Sequence, residues 1–150
     1  MFGIFKKKYS GPKAKKEFQN AFSHIIRITV ERDPSISEKQ LERIVMILMN
    51  DSDVVSSIQE GRIQKPHIKL VALSALCSSV CKHVEDNTIL SEPFAEPLYL
   101  LLKHYFEVRH TDPDYTQINK RLMDEIEDWM IQSLQMYENT KSILSISNHK

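Results

Sequence analysis

PHIKLVALSALCSSVCKHV, residues 66–84, carries no charge between Leu70 and Cys81 and lies in the middle of the 150-residue chain. At about 100° per residue, Leu70, Leu73, Cys77, Val80, Cys81 and Val84 share roughly one third of a helix circumference. The other side is not a charged solvent face. It carries Val71, Ala72, Ala75 and Ser79, with Ser74 and Ser78 between. Small side chains let neighbouring backbones approach, so such a helix can be contacted on two sides. A helix that is apolar or small nearly all round is a core helix or a membrane span. A span needs about 18 or more uncharged apolar residues, and Lys69, Lys82 and His83 bracket this run too tightly. Pro66 suits a first helical position, where its missing N–H leaves no bond unmade. The stretch reads as the buried central helix of a bundle.

The rest of the chain agrees with that class. At 150 residues and 41% hydrophobic content it can build one domain with a real core. Only three glycines occur, two of them in the first eleven residues, too few for the turns of a sheet protein. The expected fold is all-α, a single bundle of five or six helices around residues 66–84. A basic leader (1–12) precedes the bundle (13–138), and a frayed tail (139–150) follows it.

Outward from the centre, a helix is expected from Pro12 to about Glu31, striped by Ala14, Phe18, Ala21, Phe22, Ile25 and Thr29. Within it, IIRITV (25–30) has strand-like β-branched content, and helix or strand stays open there. Asp33-Pro34 breaks the chain. Ser37 with Gln40 forms a capping box and Ile36 staples onto Leu41, so IVMILM (44–49) is helical. Its apolar residues wrap beyond one face, which leaves Met46 or Met49 to cover a neighbour or form an exposed patch. A short helix is expected from Asp53 to about Glu60, stopped by Gly61. Beyond the central helix, Pro93 and Pro97 mark a connector. Leu98, Leu101, Leu102, Tyr105 and Val108 then make one face of a helix reaching His110. Asp112 is expected to cap a last long helix to about Tyr137, with Tyr115, Ile118, Leu122, Ile126, Trp129, Ser133 and Met136 aligned.

Charge is balanced overall, 20 basic against 20 acidic residues, but unevenly spread. Residues 1–16 hold six lysines and no acid, whereas Glu85–Glu138 holds twelve acids against four bases. Neutrality gives nucleic-acid binding no support. The two cysteines, Cys77 and Cys81, lie four apart on one helix face, a poor geometry for a disulfide. They read as core packing in a reduced cytoplasmic protein. No G-x-S-x-G, Walker loop or Gly-rich dinucleotide turn is present, and no cofactor is expected.

Three groups remain as candidates. Asp124, Glu127 and Asp128 fall opposite the Trp129 stripe, an exposed acidic surface able to steer a basic protein partner. With Met46 and Met49 they suggest a non-catalytic binding or regulatory protein, of which a toxin-neutralising immunity protein is one form by analogy. His104, Glu107 and His110 spell H-x-x-E-x-x-H, which contains the Glu-x-x-His ligand pair that di-iron bundles use twice. Here it occurs once, on the face away from the core, so the alternative is a metal-binding enzyme or sensor that uses this surface group. Phe2, Ile4 and Phe5 followed by Lys6, Lys7 and Lys8 form a weak apolar and polybasic anchor for the inner, anionic membrane face.

Overall fold

The computed structural model describes residues 8–9, 11–31, 38–50, 63–64 and 67–148, and over them the chain is an all-α bundle. Its helices are α1 (Gly11–Val30), α2 (Glu38–Met49), α3 (Ile68–Glu85), α4 (Ala95–Val108), α5 (Pro113–Thr116) and α6 (Lys120–Asn148), with a 3₁₀ turn at Arg109–Thr111. Ser37, the 53–60 helix, Pro66, and leader residues Phe2, Ile4, Phe5, Lys6 and Lys7 lie outside the described residues. Lys8 does not. Lys8–Tyr9 pairs antiparallel with Ile63–Gln64, a two-residue ladder that sequence pattern does not announce.

The central helix is α3, and α1, α2, α4 and α6 all pack on it. It is buried on both sides: Leu73, Leu76, Cys77 and Val80 are inaccessible, and so are Ala72 and Ala75. Helix α1 confirms the predicted stripe with Phe18, Phe22, Ile25 and Thr29 in the core. Residues 25–30 are helical. Thr29 is tolerated there because its hydroxyl donates to the Ile25 carbonyl one turn back at 2.8 Å. Ile44, Leu48 and Met49 of α2 are also buried, so Met49 belongs to the core and only Met46, 65% exposed, remains a surface residue.

Helix α3 ends in a Schellman arrangement. Thr88 N–H donates to the His83 carbonyl at 3.0 Å and Asn87 N–H to that of Val84 at 3.3 Å. Asn87 takes the left-handed conformation, φ 57°, that this closure requires. Helix α4 starts at Ala95, so Pro97 falls in its first turn, where its missing N–H has no intrahelical partner to lose.

The largest departure from the sequence reading comes at residues 112–120. Asp112 does act as a cap, its carboxylate accepting from Asp114 N–H at 3.0 Å, but the helix it starts lasts one turn. Asn119 then opens α6, its side chain accepting from Arg121 N–H at 2.9 Å. The break resets the helical phase. The inward face of α6 is Ile126, Met130, Ser133, Leu134 and Tyr137, and Trp129 and Met136 are partly exposed. Nor does α6 stop near Tyr137. It runs to Asn148, held by Leu144 against the core, by Lys141 with Glu96 at 3.2 Å, and by Tyr137 stacked on Tyr99 at 4.2 Å.

Candidate functional site

Where α1, α3 and the 112–114 corner meet, a charged group is buried. Lys69 reaches from the first turn of α3 and is 5% exposed; Asp112 is wholly inaccessible. The Lys69 ammonium lies 3.1 Å from Asp112 Oδ2, 2.9 Å from His24 Nδ1 and 3.9 Å from Asp114 Oδ2. Because the ammonium can only donate, His24 Nδ1 must accept, which places the ring proton on Nε2. The Tyr105 hydroxyl donates to Asp112 Oδ2 at 2.5 Å, from the inner face of α4. Burial by itself pushes the Asp112 carboxyl up. The Tyr105 hydroxyl, the Lys69 charge and hydrogen bond, and the Asp114 N–H outweigh it and hold the carboxyl below its ordinary range. Tyr105 is pushed well up, by burial first and then by that same bond. The group is therefore ionic, Lys69 against Asp112, and its polar atoms are satisfied from four elements, α1, α3, α4 and the start of α5.

Over it opens a cavity of about 560 Å³ lined by Glu17, Asn20, His24, Lys69, Asp114 and Gln117. No contiguous motif marks this site. His24 and Lys69 are 45 residues apart. Lys69 reads as the charge that closes an apolar run, and Asp112 and Asp114 read as helix-start acids. The usable signal was Lys69 one helical turn from Leu73, on the inward side of a core helix, where a lysine needs a buried anion.

The sequence candidates are dispersed. His104 Nδ1 and Glu107 Oε2 meet at 3.5 Å as neighbours one turn apart on α4. His110 lies beyond the helix end, in the 3₁₀ turn, with its ring edge-on to Tyr115. The three do not form one group of ligand atoms; among the described residues that arrangement is met by His24, Asp112 and Asp114. Asp124 and Asp128 are exposed. Glu127 is not part of their surface: it faces the corner, accepting from the Tyr115 hydroxyl at 2.9 Å and from Arg109 Nη2 at 3.5 Å. Arg109 lies over the Phe106 ring, 4.0 Å from its centroid. Cys77 is a core residue whose thiol burial pushes up to about 12, and Cys81 Sγ lies 3.2 Å from the Ser133 hydroxyl.

A second surface stands out on α6. Trp129, Met136 and Ile143 are spaced by seven, so they follow one another along the helix with a drift of about 20° per step. They are 38%, 42% and 64% exposed, and Ile146, one turn on, is 62% exposed. Glu125 lies one turn before Trp129 on the same line and is exposed. Among the described residues, no helix is long and apolar enough to cross a membrane. The chain matches no protein-family model, no curated protein and no solved structure.

Proposed function

We propose that this protein is a binding or regulatory module that docks a protein partner along α6. The observation that carries this reading is the row of Trp129, Met136, Ile143 and Ile146, large apolar side chains left uncovered on one helix. Single exposed apolar residues need no explanation. Here four lie along one side of a single helix, seven, seven and three residues apart, with polar side chains between and beside them. That pattern fits an interaction surface. A helix offering such a row fits a hydrophobic groove. The rim supplies the sign of the partner. Asp124, Glu125 and Asp128 cluster at the first half of the row and are all exposed, so the groove it enters carries lysine or arginine at one end. Trp129 is the anchor of the contact, because aromatic side chains near the centre of an interface supply a large share of its energy. The exposed acids contribute mostly to the rate of encounter and to the choice of partner.

The test is affinity capture from the source cell with the full chain as bait. It is repeated with Trp129→Ser/Met136→Ser and with Asp124→Lys/Glu125→Lys/Asp128→Lys. The proposal expects one basic partner, lost with the first variant and weakened by added salt and by the second. Capture that is equal with all three baits contradicts it. So does sedimentation showing that the same apolar row is covered by a second copy of the chain.

A further inference from the structure

His24 Nδ1 and one carboxylate oxygen each of Asp112 and Asp114 lie within 4.8 Å of one another. All are metal-type donors, and they come from two separate parts of the chain. Their centre is occupied. The Lys69 ammonium sits 2.9 Å from the histidine nitrogen, 3.1 Å from the buried carboxylate and 3.9 Å from the exposed one. We infer that this is a cation site in which the tethered ammonium of Lys69 holds the position of a divalent metal ion, and that zinc enters it once that ammonium is removed.

Four features support it. The ammonium is held by two acceptors within hydrogen-bond reach, His24 Nδ1 and Asp112 Oδ2, with the Asp114 carboxylate 3.9 Å away as a second counter-charge. The acceptor spacing suits a metal nearly as well. Ligands at about 2.0–2.2 Å from a tetrahedral zinc lie about 3.3–3.6 Å from each other. His24 Nδ1 is 3.8 Å from Asp112 Oδ1 and 4.0 Å from Asp114 Oδ2. Charge favours the exchange too: two carboxylates face a single positive charge, which a divalent ion would balance. Last, the outer contacts of a metal site are in place. Asp112 accepts from the Tyr105 hydroxyl and from the Asp114 N–H, and contacts of this kind hold a ligating carboxylate in position. Three protein ligands beside a cavity leave the fourth position to water.

Lysine thus replaces a structural ion, and the wild-type chain needs no metal at this junction. The test uses the full chain, the Lys69→Met variant and zinc chloride, followed by calorimetric titration and thermal melting. Lys69→Met should bind one zinc ion and gain several degrees in Tm on its addition. Adding His24→Ala to that variant should abolish the gain, and the wild type should show none. A folded Lys69→Met that takes up no zinc overturns the inference. Uptake that survives His24→Ala does so as well, as does wild-type uptake at His24 with equal affinity. Should Lys69→Met fail to fold, the wild type still decides through nitrogen-15 NMR of the histidine rings. The proposal requires His24 as the Nε2–H tautomer with Nδ1 accepting, and an Nδ1–H tautomer contradicts it.

Discussion

At the scale of single residues, the fold tolerates a buried ion pair because both members are hydrogen-bonded. Asp112 accepts from Tyr105, Lys69 and the Asp114 backbone, and the Lys69 ammonium is shared with His24. Removing one member leaves the other charged and without its counter-ion. Lys69→Met in metal-free buffer should therefore cost about 3 kcal/mol in urea unfolding. Adding Asp112→Asn to it should return part of that, whereas strictly additive losses would contradict the pairing. The pair also sets a pH dependence. Asp112 titrates below its ordinary value in the folded chain, so the unfolded chain binds protons more readily. Its stabilisation is complete above the unfolded value, about 3.9, and is lost as pH falls through the lower folded one. Asp112→Asn should flatten the fall in unfolding free energy below about pH 4; an unchanged acid limb would assign that limb to other groups. Tyr137 offers the opposite case. Its hydroxyl is buried with no hydrogen-bond partner among the described residues, so Tyr137→Phe should leave stability unchanged or raise it by up to about 1 kcal/mol. A clear loss in the melt would reveal a partner for it.

At the scale of elements, what was legible in the sequence is what local chemistry dictates. The 66–84 run announces α3 within two residues at its N-terminal end, and Phe18, Phe22, Ile25 and Thr29 announce the inner face of α1. The 112–120 break was hidden for a physical reason. Thr111-Asp112-Pro113 is a stronger start signal than Ile118-Asn119-Lys120, and a continuous stripe from Tyr115 to Met136 can be drawn through both. With the helix restarting at Asn119, Glu127 faces inward and Trp129 outward, and two of the three acidic candidates, Asp124 and Asp128, stand exposed as read. Asn119→Ala should cost about 1 kcal/mol through the lost cap, read from chemical unfolding; no change would mean that the corner is held by Glu127 with Tyr115 and Arg109 instead. Of the buried group only Lys69, one turn from Leu73 on an inward face, was legible in the sequence, because the group is made by packing four elements and not by any one of them. Equally, the hold of Leu144 and Lys141 on the bundle is tertiary, and their spacing alone reads as a fraying end.

At the scale of the whole molecule, the chain folds around α3, which is uncharged between Leu70 and Cys81 and carries the buried Lys69 in its first turn. A two-sided apolar helix with small residues on one flank lets α1, α2, α4 and α6 all approach it, so opening any of these four helices exposes part of α3. The acid-rimmed row on α6, the proposed docking surface, lies outside that core. The most direct measurement is native-state hydrogen exchange over the whole chain. The account predicts that the amides of residues 72–80 exchange only through global unfolding. Their free energy should equal that from denaturant melts, with the outer turns of α6 exchanging sooner. Exchange of residues 72–80 by a smaller opening, ahead of α6 or α1, would contradict the claim that the bundle is built around α3.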